Sequence, residues 1–342
     1  MKIPLSAVIL TKDEEVNLSR CLERMAGWAD QVFVVDSGSS DRTMTLAREA
    51  GATVVEHPFE NYVAQRNWAL RNLPFKNEWV LFIDADEYPT EELKREIGKV
   101  VTLTPAVGGS EALAQVTPPA SPYGKGRRWI TSPYGKGRRW ITSPYDKGRL
   151  GGVKEDISVN QLNPHAPAST VNGFYVKRRF MFWGKWLKHG GYYPVWILRL
   201  MRHKAARCEG MLMDEHFAVD GVTDRLARDL VHDDRRGLRD WFAKHRRYAE
   251  LKAREHLAGE SAKGPTGDDA ASRERAAKRE RWDRLPLFVR PFLYWGYVMF
   301  VRGGILDGVP GIVYHTLHGF WYPLMIDCEI VRLRRGSPPL LR

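Results

Sequence analysis

The tetrapeptide Asp84-Ala85-Asp86-Glu87 follows directly on the apolar run Trp79-Val80-Leu81-Phe82-Ile83. Such a run reads as a buried strand, and acids delivered at its end enter the crevice where parallel sheets bind ligands. Asp84 and Asp86, one residue apart, are expected to converge on one point. That arrangement suits a hard divalent cation, Mg or Mn, that also takes diphosphate oxygens and water. A cation there would neutralise charge developing on a departing nucleoside diphosphate. An Asp-x-Asp pattern occurs often by chance, and the strand before it is what distinguishes this one from a solvated acidic turn.

A second constellation is Val34-Val35-Asp36-Ser37-Gly38-Ser39-Ser40-Asp41-Arg42-Thr43. Another apolar strand delivers an acid, Asp36, into a turn of small residues ahead of a helix. The small residues let a flat base approach the backbone, and Asp36 could accept the imide hydrogen of uracil. Asp41 has a plainer reading as the N-cap of the next helix, with Gly51 as its C-terminal cap.

The elements that must hold these residues alternate. Residues 7–10, 31–35, 52–56 and 79–83 read as strands, and 16–28, 41–50 and 62–72 as helices, the first with Leu18, Cys21, Leu22 and Met25 at helical spacing. This pattern implies a mostly parallel sheet flanked by helices. A chain of 342 residues that is 43% apolar can bury a substantial core. Residues 1–100 hold 12 basic and 17 acidic side chains although the whole chain carries +12, so the basic excess lies beyond residue 100. That split excludes a uniformly cationic nucleic-acid coat, and no nucleic-acid partner is expected. It fits an acidic catalytic module joined to a surface that seeks phosphates or anionic lipid. Cys21, Cys208 and Cys328 are widely separated, which suggests neither a disulfide framework nor a zinc ribbon. The apolar run 3–10 contains Pro4 and meets Lys12, Asp13, Glu14 and Glu15, unlike a signal peptide, so a cytosolic chain starting at Met1 is expected.

Taken in order, Leu10-Thr11-Lys12-Asp13-Glu14-Glu15, the 34–43 turn, Gln65-Arg66-Asn67-Trp68-Ala69-Leu70 and Asp84-Ala85-Asp86-Glu87 resemble the inverting family 2 glycosyltransferases of the GT-A fold. More narrowly, they resemble the bacterial branch that contains the lipopolysaccharide inner-core β-1,4-glucosyltransferases. The likeness covers residues 3–98 and resumes over about 171–221 with Trp183-Gly184-Lys185-Trp186-Leu187-Lys188-His189-Gly190-Gly191-Tyr192, Arg199-Leu200 and Asp214-Glu215-His216. The resemblance implies that Thr11, Glu14 or Glu15, Asp36, Ser39, Arg66 and Asp84 line the nucleotide-sugar pocket, that Asp86 and Asp84 hold the metal, and that His189, Arg199 and His216 meet the acceptor. His189, beside Gly190-Gly191, has an equal reading as a structural residue. The branch places a His-Glu pair six residues before a glycine, the Glu serving as base. Here Glu215 stands six before Gly221, Asp214 replaces the His and His216 follows, so Glu215 and Asp214 are both candidates, with Glu215 favoured.

The implied fold is α/β, a GT-A (nucleotide-diphospho-sugar transferase) sheet flanked by helices, with a helical, aromatic-rich C-terminal region. The implied activity is metal-dependent inverting transfer of a hexose, glucose favoured, from a UDP-sugar to a lipopolysaccharide-core or lipid-linked glycan at the cytoplasmic face of the inner membrane, against an anionic membrane surface. Such a transfer needs one base to deprotonate the attacking hydroxyl. A nucleotidyltransferase on a similar sheet is a rival, but it would be expected to carry an early Gly-rich basic loop, whereas residues 10–17 are acidic and lack glycine. A catalytically inactive membrane- or nucleic-acid-binding module is a rival from another class.

The expected organisation is a nucleotide-sugar half (1–100), a variable basic loop (101–170), an acceptor half (171–225) and a helical, membrane-associating region (226–342) with a flexible stretch at 259–281. Within the loop, SPYGKGRRWIT occurs twice and restarts as SPYDKGR over 121–149. This segment reads either as a tolerated expansion or as a phosphate contact made by Arg/Trp pairs. Residues 308–326 lack Asp, Glu, Lys and Arg, but Pro310, Pro323, three glycines, His315 and His318 interrupt them. A conventional span is therefore not expected. The block reads as an interfacial or re-entrant attachment flanked by arginines, or as an ordinary aromatic core. His315 and His318, three apart without nearby carboxylates, are not expected to share a metal.

Overall fold

The computed structural model describes residues 2–103, 171–210, 215–259, 282 and 285–336. The 121–149 repeats, Asp214 and the 260–281 stretch lie outside the described residues.

β1 (Ile3–Thr11), β2 (Ala29–Asp36), β3 (Thr53–Glu56) and β4 (Trp79–Asp84) pair in parallel in the order β3-β2-β1-β4. α1 (Glu15–Met25), α2 (Thr43–Glu49) and α3 (Tyr62–Asn72) connect them. The sheet continues through β8 (Val195–Arg202), β6 (Val171–Phe182), β11 (Val222–His232) and the short β5 (Glu87–Pro89), with β7 (Lys185–Leu187) on β6. β8 runs antiparallel to both β4 and β6, whereas β11 is parallel to β6. Helices flank this sheet, as the alternating pattern implies. α3 spans the predicted 62–72, whereas two helices are shorter than predicted: α1 stops at Met25, and α2 runs only Thr43–Glu49, Asp41 accepting the Thr43 N–H. β11 runs past residue 225, so the second half of the sheet extends into the stretch assigned from sequence to the helical region.

The strands are apolar on both sides because both sheet faces are covered. Leu5, Ala7, Ile9, Val34, Trp79, Leu81 and Ile83 join α1, α2 and α4 (Glu91–Leu103) in one core. Val8, Phe33, Val35, Val80 and Phe82 point the other way, onto α3 and onto Cys208 and Phe217 of the hairpin β9 (Ala206–Glu209) and β10 (His216–Val219).

The C-terminal block is helical. α5 (Leu238–Gly259) packs through Ala249 and Ala253 on Tyr322, Ile326 and Ile330 of the helix Tyr322–Arg334. A further helix, Arg290–Gly296, is tied to the closing one by Arg290 and Asp327, both fully buried. Asp327 Oδ1 accepts from Arg290 Nε at 2.7 Å and its Oδ2 from the Phe288 N–H at 2.8 Å. Removing one partner of a buried pair strands the other charge. Asp327→Ala is therefore expected to cost about 3–5 kcal/mol of stability, read as a lower midpoint in chemical unfolding. An unchanged midpoint would contradict this role.

Candidate active site

The register sets the site. Thr11 lies opposite Asp36, and Leu10 opposite Asp84, so the carboxyl ends of three neighbouring parallel strands present Thr11, Asp36 and Asp84 together. Two loops close over them. Asp36 is fully buried, and its Oδ1 accepts from the N–H groups of Gly38 (2.9 Å) and Ser39 (2.7 Å). Its Oδ2 accepts from Thr11 Oγ1 (2.8 Å) and Ser39 Oγ (2.6 Å). Gly38, at φ +80°, permits the turn. The β1–α1 loop is stitched to this turn: Asp13 N donates to Ser39 Oγ, Ser40 N to Asp13 Oδ1, Glu14 N to Thr43 Oγ1 and Arg42 N to Glu15 Oε2. Asp41 accepts from the N–H groups of both Thr43 and Glu15. Although burial opposes it, the Thr43 hydroxyl and then these N–H groups hold its carboxyl below the usual range.

Beyond the turn, Asp84 and Asp86 take different partners. Asp84 is ion-paired to Arg199 from β8 and stands 3.7 Å from Arg66 of α3. Burial alone would raise its carboxyl, but Arg199 and then Arg66 outweigh that and hold it well below the usual carboxylate range. Arg199 also reaches Glu87 Oε2 at 2.8 Å. Arg199, expected at the acceptor, is thus buried behind the carboxylates. Asp86 instead faces His232 at the end of β11, with Oδ1 and Nδ1 3.3 Å apart. Burial opposes ionisation of Asp86, and the neighbouring His232 more than offsets it, lowering its pKa. Neither Asp86 Oδ1 nor His232 Nδ1 makes a well-formed hydrogen bond.

Glu215 enters from the start of β10, its Oε1 3.3 Å from Arg66 Nη1 and its buried Oε2 without a hydrogen-bond partner among the described residues. Arg66 therefore touches both Asp84 and Glu215. His216 is exposed on β10. His189 lies elsewhere, with Nδ1 2.7 Å from Asp307 Oδ1 beneath the C-terminal helices. Next to it, Gly190 (φ +69°) lies so close to His315 that a Cβ would come within 2.3 Å of the ring.

The metal question can be put to these atoms. Among the described residues no three His, Cys, Asp or Glu side chains gather as a metal site. Asp86 Oδ1 and His232 Nδ1, close to one another but without a well-formed hydrogen bond, nevertheless fit a cation that draws its remaining ligands from diphosphate and water. His315 and His318 are engaged with Asp307 and Tyr192 Oη.

Sequence reasoning missed His232 and the residues after it. Asp233 pairs with Arg20 at 2.5 Å. Asp234 and Arg236 clasp Asn17 and Glu14, with Arg236 Nη1 2.8 Å from Glu14 Oε1. The run His232-Asp233-Asp234-Arg235-Arg236 directly after Leu230-Val231 was a signal of the same kind as Asp84-Ala85-Asp86-Glu87.

Residues 6–139 match the family model Glycosyl transferase family 2. The chain is similar to an uncharacterized glycosyltransferase of Rickettsia bellii (strain RML369-C), 43% identical over 93 residues, 27% of this chain and 31% of that protein. It is also similar to the lipopolysaccharide core biosynthesis glycosyltransferase LpsC of Rhizobium meliloti (strain 1021), 31% identical over 113 residues, 32% of this chain and 41% of that one. The chain thus spans about a third of the length of the first of these curated relatives. Among solved structures, glucosyl-3-phosphoglycerate synthase from Mycobacterium tuberculosis, in complex with Mn2+, UDP and glucosyl-3-phosphoglycerate, is 24% identical over 29% of this chain and 37% of that one, with a TM-score of 0.23.

Burial, partly offset by Arg236 and Asn17, raises the Glu14 carboxyl from 4.5 to about 7. The folded state then holds this proton more tightly than the unfolded chain, so its contribution is full below pH 4.5 and is lost as pH rises through about 7. Stability measured in EDTA is expected to fall across that window by roughly 2–3 kcal/mol more in the parent than in Glu14→Gln. Parallel pH profiles would contradict the assignment.

Proposed function

We propose that the chain is a metal-dependent inverting glycosyltransferase that moves a hexose, glucose favoured, from a UDP-sugar to a lipopolysaccharide-core or lipid-linked glycan. The observation that carries this reading is the Arg66 bridge, which sets the strand-end acid Asp84 and the second carboxylate, Glu215, on one guanidinium. The turns built by Thr11, Glu14, Glu15, Asp36 and Ser39 would bind the nucleotide. Asp86, with His232 and Asp84 nearby, would hold Mg or Mn. A bound cation supplies charge neutralisation to the leaving diphosphate.

The chain's own groups do the rest. Glu215 would take the proton of the acceptor hydroxyl at its Oε2 as the hydroxyl oxygen attacks the anomeric carbon from the face opposite the diphosphate, whose bond to that carbon breaks. Arg66, 3.3 Å from Glu215 Oε1, holds that carboxylate in place. Asp214, outside the described residues, remains the alternative base. The lipopolysaccharide-core acceptor is supported by the relative LpsC.

The test follows nucleoside diphosphate release from UDP-glucose, UDP-galactose, UDP-N-acetylglucosamine and GDP-mannose, with Mg or Mn and with EDTA. Metal-dependent release from one UDP-sugar, lost in Asp86→Ala, is expected. Glu215→Gln is expected to lower transfer about 10²–10⁴-fold while keeping donor binding. Absence of both release and UDP binding would overturn the reading.

A further inference from the structure

The exposed apolar side chains are not scattered. Of the fifteen large ones among the described residues, ten lie between 288 and 312: Phe288, Val289, Phe292, Leu293, Phe300, Val301, Ile305, Leu306, Val309 and Ile312. Phe300, Leu306 and Val309 are 65%, 70% and 68% exposed. The interval contains three charged residues, Arg290, Arg302 and Asp307. Arg290 is buried against Asp327 and Asp307 is buried against His189, so only Arg302 adds charge at this surface.

Concentrated, nearly charge-free apolar surface of this kind marks an interaction face. Its composition narrows the partner. No helix among the described residues is long and apolar enough to cross a membrane. The ridge is made of short pieces: Arg290–Gly296, the wide turn Tyr297–Val301, the tight turn Gly304–Asp307 and the start of Gly308–Thr316. β7 packs on the tight turn, where Asp307 accepts from the N–H groups of Lys188 and His189. That contact brings exposed Trp183, Lys185 and Lys188 to the margin of the ridge. Apolar side chains bordered by tryptophan and lysine match a leaflet, with acyl chains below and anionic headgroups at the rim.

We propose that residues 288–312 form a monotopic membrane-inserting face that enters one leaflet of an anionic bilayer, with Trp183, Lys185 and Lys188 at headgroup level. The inference does not depend on the transfer reaction. The face lies beside the site all the same: Tyr314 packs on Phe180 at 4.7 Å, and Phe180 stacks on His232 at 4.9 Å.

The experiment is co-sedimentation of the full chain with vesicles of phosphatidylcholine, alone or mixed with phosphatidylglycerol. The parent is expected to bind the mixed vesicles. Phe300→Ser/Leu306→Ser/Val309→Ser is expected to lose about tenfold or more in binding, and Lys185→Glu/Lys188→Glu to lose binding to the mixed vesicles selectively. As a second readout, Leu306→Cys in a Cys328→Ala background, carrying an environment-sensitive fluorophore, should shift to the blue when vesicles are added. Equal vesicle binding by parent and triple variant, or no blue shift, would overturn the proposal. So would self-association that the triple variant abolishes in a chain that ignores vesicles, because the occupant would then be a second copy. UDP release is assayed separately, so failure of the transferase reading leaves the vesicle result intact.

Discussion

Acids buried at the ends of adjacent strands need counter-charges or hydrogen bonds, because an unpaired carboxylate out of water would sooner neutralise or unfold its surroundings. The molecule meets this constraint in two ways. Asp36 is satisfied wholly by donors from its own turn and Thr11. Asp84 and Glu87 share Arg199, and Asp84 shares Arg66 with Glu215. The first solution makes a rigid turn. The second joins the two halves of the sheet, because Arg66 comes from α3 and Arg199 from the antiparallel strand β8.

This division of partners decides what is left for chemistry. Two guanidiniums neutralise Asp84, so its charge organises the site more than it attracts a ligand. Asp86 is ion-paired to His232 but to neither arginine, and Glu215 keeps one oxygen without a hydrogen-bond partner among the described residues. The acids with spare capacity are thus Asp86 and Glu215, and Asp84 is the arginine-bound one. The C-terminal block packs on the second half of the sheet through the contact of Tyr314 with Phe180 of β6, while Asp307 holds His189 away from the site.

The parallel half of the sheet was legible because β1, β2 and β4 carry apolar runs buried on both faces, and β2 and β4 end in an acid. Local patterning carries that information. The partners of those acids were not legible, because they come from far along the chain: Asp84 and Arg199 are 115 residues apart, and Asn17 and Asp234 are 217 apart. The resemblance gave Arg199 an acceptor role, and its place beside Asp84 and Glu87 was not legible because nothing local shows that its strand runs antiparallel beside β4. The aromatic C-terminal block supported two readings, core or interface, and local pattern does not separate them: Tyr294, Tyr314 and Tyr322 point inward, as a core requires, while Phe292 and Phe300 face out.

The most direct measurement is calorimetric titration of UDP into the full chain, with Mn2+ and then in EDTA, repeated on Asp86→Asn. If Asp84 is held by its arginines and Asp86 carries the cation, UDP binds in Mn2+, weakens sharply in EDTA, and loses its metal dependence in the variant. Binding that is indifferent to both the metal and Asp86, or no binding at all, would contradict this account of the site.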